Sequence, residues 1–521
     1  MAHASSDSEF LRRVYLDLTG RLPEPERVTA FLNDADPAKR QKLIDSLFPD
    51  KPIPGMRSLK DDPFLDRWAY FFNDMFRNGQ LLEEGINVFY DWIYKCLMLN
   101  IPYDQMVREM VTASAVSTWS NGPANFVARN RVFEGDGYVM NHEDTADELA
   151  ITTSKLFLGI NLECVSCHDG AGHLEKINLW LAGVKRADLW RQASFFGKTY
   201  ISPEFGRTPQ FIVNDTREGY DLSTISAVRP KRYKADLTPT FIMGGGKARE
   251  GESNREAFAR LLTADPQFAR ATVNLIWAEL MGSGIVENTS DFDMARQDPK
   301  NPPPAPWTVQ PSHPELLNEL AADFRTHGHD LRRLIRQIVS SKAYQLSARF
   351  EGKWNPIHDS YFTRRKARRI SAEQLYDALT QVSGNREEFK ITYSALKTPL
   401  VMQTRSPQDI DKSDRKTLLF LQTFGQCDRY EAEADRRASM VQAATLLNGR
   451  TVDAKLRLKA DHPLMKLEPE RRVESIFLTA LSRPPTAVEM GKSLELLATG
   501  GVEPTEDLLW AIANRLDFLF Y

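Results

Sequence analysis

The sequence predicts a mainly α fold, a multi-helix protein of two domains with a short mixed β and loop segment between the halves, and three observations carry that prediction. Apolar residues recur at four-residue intervals from the start, as Phe10, Val14 and Leu18 do. β-prone runs are short and cluster in one stretch, Gln210-Phe211-Ile212-Val213 and Thr240-Phe241-Ile242-Met243. At 521 residues the chain is too long for one ordinary core, so it divides into domains each able to bury its own interior.

Taken in order, Leu22-Pro23 interrupts the first helical pattern, which resumes over 26–32. Helices are then expected at 37–48, 63–77, 88–100, 103–114, 145–159, 174–183 and 187–197. Trp68, Phe71, Phe72 and Phe76 fall on or near one helical face and read as core packing. From 201 to 251 the composition turns to Pro, Gly, Thr and charge. Its Gly244-Gly245-Gly246 lacks the flanks of a phosphate loop and reads as a turn. Helices resume at 254–264 and 267–282. Beyond a proline-rich loop, Ser312 and Glu315 have capping-box spacing with Pro314 in the first turn, so a helix is expected to start there. Further helices are expected at 331–346, 372–382, 436–447, 471–481, 487–498 and 505–521. The domains are accordingly 1–200, a linker 201–251, and 252–521. A faint echo links the ends, Val14 to Pro23 with Ile476 to Pro485: a helix, an arginine and proline turn, then a second helix.

Composition excludes several classes. Lys and Arg number 67 against 70 acids, for a net charge of -3, so there is no basic excess of the kind a nucleic-acid binder carries. The run Arg364 to Arg369 reads as a solvated face. No stretch reaches the ~20 apolar residues of a membrane helix; 88–101 is broken by Asp91, Lys95 and Asn100. The first residues show no charged-then-apolar leader. Ala2-His3-Ala4 fits the small-x-small pattern before a signal-peptidase cut, read either as the remnant of a removed leader or as a chance match. Four cysteines are too few for a disulfide framework; Cys96 reads as a buried thiol, and Cys427 has no evident local partner.

The one compact chemical signature is Cys164-Val165-Ser166-Cys167-His168. A c-type haem needs two thiols spaced to meet two vinyl groups and an imidazole that can turn onto the iron, and this run supplies all three. Cys164 and Cys167 would carry the covalent links and His168 the proximal ligand. The distal side is harder to fill. His173 follows His168 by five residues, near the limit of what so short a chain can wrap. Met140 and His142 are distal candidates that reach the iron only if the chain folds back over the helix between them and the motif. The same cysteines, with His168 or His173, also suit part of a zinc site, or a local disulfide. Around His142, the acids Glu143, Asp144, Asp147 and Glu148 resemble a metal or acid/base cluster, although acids at a helix start also complement its dipole. His327 and His329 beside Gly328 mark a helix end, and His313 belongs to the helix start.

The stretches Phe10 to Pro23, Asp66-Arg67-Trp68-Ala69 and Phe157 to Asp169, then Asn254 to Ala259, Phe268 to Asn274, Pro311 to Leu317 and Asp507 to Ala511, together resemble a pairing of bacterial families. These are the planctomycete cytochrome-like and planctomycete surface-domain families. The resemblance implies export to the periplasm or cell exterior and a c-type cytochrome-like N-terminal half. Relatives often carry a further histidine directly after Cys-His-Asp, where this chain has Gly170-Ala171-Gly172-His173. The functional expectation is an exported haem c protein acting in electron transfer or haem-dependent oxidation with a redox partner or exported enzyme. The alternatives are a non-catalytic polysaccharide or cell-surface binding protein and a Cys/His zinc-dependent hydrolase.

Overall fold

The structure, a computed structural model, describes residues 1–49, 62–134, 139–204, 210–430 and 434–521. It is mainly α: helices account for about 52% of it, and the strands form only two two-stranded sheets. The chain groups into two compact units, residues 1–80 with 339–521, and residues 81–338. The first unit joins the two ends of the sequence around one core. Residues 205–209 of the expected linker lie outside the described residues.

In the unit built from both ends, Leu16 and Leu22 pack into one apolar cluster with Ile370, Leu375, Val401, Phe420, Phe477 and Leu509. The helix Asp7–Thr19 starts at Ser6, whose hydroxyl accepts from the Glu9 amide, and stops at left-handed Gly20. Helix Pro469–Leu481 has the same length and stops at Ser482, which adopts the same left-handed conformation at φ 55°. Each is followed by a second helix, Pro25–Asn33 or Ala487–Leu497, so the faint sequence echo is a repeated helical hairpin. Arg12 ties the ends directly, donating to the carbonyls of Ala480 and Phe518 at 2.5 and 2.7 Å.

The basic run at 364–369 is not a solvated face. Arg365, Arg368 and Arg369 are buried. Arg365 and Arg368 converge on buried Asp17, which also accepts from the hydroxyls of Tyr344 and Tyr521 at 2.6 and 2.8 Å, and Arg369 donates to the carbonyls of Phe424 and Asp435. Charge order along the chain cannot reveal this, since the neutralising carboxylate is some 350 positions away. The aromatic helix Pro63–Met75 behaves as expected: Trp68 and Phe72 are buried, and Trp68 meets Phe71 edge-on at 5.5 Å.

Unit 81–338 is organised around helix His142–Leu158, against which helices Arg186–Ala193 and Pro266–Met281 pack. Phe157, Tyr103 and Phe268 form an aromatic knot, with ring centres 5.7 to 6.5 Å apart. The hairpin Tyr200–Glu204 with Gln210–Asn214 is antiparallel, Ile201 opposite Val213.

Several expected elements end differently, each for a visible reason. No helix forms over 174–179; the amides of Leu179 and Trp180 donate to the Asp293 carboxylate at 2.7 and 3.0 Å, and only a 3-10 turn, Leu181–Gly183, follows. Residues 240–243 make a turn rather than a strand, closed by the Phe241 amide on the Gly246 carbonyl. The helix near 312 begins at Pro314 with His313 at its N-cap and no capping box, because the Ser312 hydroxyl bonds the Ile285 carbonyl instead. The helix expected over 331–346 stops at Ser340, and the carbonyls of Tyr344 and Leu346 accept from Arg13. The last helix breaks after Ala513; beyond the single turn Leu516–Leu519, Tyr521 exchanges backbone bonds with Arg368.

Candidate functional site

The motif lies in unit 81–338 on a single helical turn, Glu163–Cys167. Just before it, the Asn161 side chain accepts from the Glu163 amide at 3.1 Å. Leu162, Val165 and Ser166 point inward and are buried, which turns the opposite side, Cys164 and Cys167, out to solvent. Three-residue spacing puts the two thiols one above the other on that face. Neither is in a disulfide.

His168 leaves the turn in extended conformation. Its Nδ1 lies 2.8 Å from the Asp169 carbonyl oxygen. A proton on Nδ1 makes that bond and leaves Nε2 with a free lone pair, the tautomer in which an imidazole binds a metal. The donor set thus fits a c-type haem: two outward thiols one turn apart and an imidazole already fixed in its ligating form. The loop behind is rigidly tied. Gly170 donates to the Val184 carbonyl at 2.8 Å, and a side chain there would bring a Cβ within 1.8 Å of the Leu181 carbonyl oxygen, so only glycine fits. The Asp169 carboxylate accepts from the Arg186 amide at 2.9 Å.

Arg186 is the residue that sequence reasoning missed. It stands in the first turn of helix Arg186–Ala193, at the positive end of the helix dipole, where a cation is disfavoured. That misplacement was the available signal. Its guanidinium bonds three carbonyl oxygens, Ser166 in the motif at 3.2 Å, Lys231 at 3.1 Å and Pro230 at 2.8 Å, and lies over the Trp190 ring. It therefore clips segment 228–233 to the motif.

The same segment is clamped to the start of helix His142–Leu158. Buried Arg232 donates to Asp144 at 2.6 Å, Asp147 at 2.8 Å and the Tyr220 hydroxyl at 2.8 Å, Arg229 pairs with Glu148, and Arg217 with Glu143 at 2.5 Å. All four acids of the expected metal or acid/base cluster are thus bound by arginine. Burial pushes the Asp147 carboxyl up to about 6 against the pull of Arg232, which leaves it ionised at neutral pH.

The distal candidates sit at that helix start. The helix is ~24 Å long, yet the chain folds back along it. Arg186 touches the motif while Gln192, at the other end of its helix, donates to the Ser154 hydroxyl at 2.6 Å, so helix Arg186–Ala193 links the motif to the long helix. Met140 is buried and its backbone pairs with Phe133. His142 stacks on Tyr200 with ring centres 5.2 Å apart, and burial, aided by Arg217, lowers its pKa and keeps it neutral. Neither meets Cys164, Cys167 or His168 in a hydrogen bond or ring contact among the described residues. His173 lies against His168 instead, ring centres 4.3 Å apart. Imidazoles on opposite faces of one iron stand about 6 Å apart, with each nitrogen ~2 Å from the metal, so these two do not bracket an ion. Among the described residues, no three His, Cys, Asp or Glu side chains converge as a metal-binding group.

These features define a helical protein with an exposed Cys-x-x-Cys-His turn. Residues 1–197 match the family described as PSCyt2, protein of unknown function (DUF1549), and residues 254–497 match the family described as PSD1, protein of unknown function (DUF1553). The names of these two families fit the pairing that the sequence resembles. Searches of curated proteins and of solved structures each returned no match.

Proposed function

We propose that the chain is an exported c-type haem protein of the periplasm or cell exterior, acting in electron transfer or haem-dependent oxidation with a redox partner or exported enzyme. The observation that carries this reading is the pairing of outward thiols at Cys164 and Cys167 with an imidazole at His168 whose Nδ1 is already engaged. Each thiol would add across a vinyl group, sulfur to one carbon and hydrogen to the other, and His168 Nε2 would hold the iron. When bound, the group supplies a one-electron couple whose potential depends on its axial ligands and exposure. Met140 and His142 are the distal candidates. The chain's own contribution is placement: Arg186 and the Asp169 carboxylate fix the motif turn, and the Asp169 carbonyl fixes the tautomer.

The test is expression with a secretion leader and a c-type maturation system, read by intact mass and the pyridine haemochrome spectrum. The expected result is one covalent haem per chain, lost in Cys164→Ser/Cys167→Ser. A haem-free product under conditions that mature a control cytochrome overturns the proposal. Stoichiometric zinc in that product would then favour a Cys/His zinc-dependent hydrolase, and retention on immobilised polysaccharide a binding protein.

A further inference from the structure

His173 is exposed, yet it does not stand free. Its amide and that of Leu174 both bond the Gly170 carbonyl, at 3.1 and 2.9 Å. Leu174 is buried, and Gly172, in the left-handed region at φ 83°, donates its amide to the Glu175 carboxylate. This tight turn presents the His173 ring to the His168 ring with centres 4.3 Å apart and planes inclined by 38°. His168 is thus held at two points, at Nδ1 by the Asp169 carbonyl and along its ring by His173. A hydrogen bond at one atom still lets a ring swing about that bond, and a second contact against the ring removes the remaining freedom.

We infer that His173 is a positioning residue, which sets the plane of the His168 ring and hence the direction in which that imidazole meets the iron. This rests on the haem reading above. The turn that shapes it is Gly170-Ala171-Gly172-His173. The angle of an axial imidazole about the iron–nitrogen bond governs the in-plane asymmetry of the iron's electronic environment, so the role has a spectroscopic signature that a merely structural residue lacks.

The test uses the full-length matured protein with His173→Ala and His173→Phe, reading haem content, circular dichroism, the ferric electron paramagnetic resonance spectrum and the reduction potential. The expected result is one haem in each form, a changed anisotropy and shifted potential in His173→Ala, and return towards wild type in His173→Phe, which restores a flat ring without an imidazole. Loss of haem from His173→Ala alone also supports the role, since the ring is then needed for attachment itself. A His173→Ala protein indistinguishable from wild type overturns it, as does His173→Phe resembling the alanine variant or losing haem along with it at native fold. A wild-type protein without haem is a separate result, which removes the haem reading and this role with it.

Discussion

Replacing Arg232 by methionine tests the clamp that holds segment 217–233 to the helix beside the motif. The arginine side chain is 1% exposed, and its partners Asp144 and Asp147 are fully buried. Methionine keeps much of the volume and removes the charge, so two buried carboxylates lose their cation and the Tyr220 hydroxyl loses a donor. An intact buried ion pair adds little net stability compared with an apolar pair, but breaking one by removing a single partner costs about 3–5 kcal/mol. With each factor of ten worth ~1.4 kcal/mol, local opening should become roughly 10² to 10³·⁵ times more frequent. The assay is amide hydrogen exchange followed by mass spectrometry. The amide to follow is that of Ala227, which donates to the Asp144 carboxylate at 2.7 Å, and amides of unit 1–80/339–521 serve as internal control. Adding Asp144→Asn and Asp147→Asn should recover part of the loss, because it removes the unpaired charge. Exchange at 217–233 within threefold of wild type in Arg232→Met would refute the reasoning, since the pair would then have contributed no restraint.

Three other outcomes follow from the packing. Gly170→Ala drives a Cβ against the Leu181 carbonyl, so the turn behind His168 must shift; a loss of about 1–3 kcal/mol is expected in urea unfolding, with lower haem yield on maturation. An unchanged midpoint and yield would show that the turn yields freely. Trp68→Ala empties a buried site among Phe64 and Phe71 and should cost about 3–5 kcal/mol, seen as a fall in thermal midpoint. Asp377 accepts from the amides of Val401 and Met402, and burial still lifts its carboxyl to about 6, above the ~3.9 of an unfolded chain. The folded state therefore binds that proton more tightly. This contribution is complete below about pH 4 and is lost as pH rises through about 6. Asp377→Asn should flatten the stability profile between pH 4 and 7 by about 3 kcal/mol, and a profile parallel to wild type would contradict the assignment.

The sequence by itself determined the fold class and most helices, because periodicity and caps are local properties. The helix expected at 254–264 runs Asn254–Ala264, capped by Ser253 and Glu256 as the sequence pattern requires. The Cys-x-x-Cys-His motif was likewise legible, since it is complete within five residues. Failures came where a distant partner competed for backbone groups. Asp293 drew the amides of Leu179 and Trp180 out of a helix, and Arg12, Arg13 and Arg368 took carbonyls and backbone bonds from segments that were expected to stay helical. Short helices such as Ala124–Arg129 and Arg450–Leu456 escaped notice because two turns show little periodicity. Only tertiary structure decided that residues 1–80 share a unit with 339–521, that the basic run is buried on Asp17, and that His173 lies against His168. Each of these depends on where the chain returns in space. Apolar periodicity fixes which face of an element is buried, whereas the partner that covers it, and the charge that neutralises a buried arginine, come from residues far along the chain.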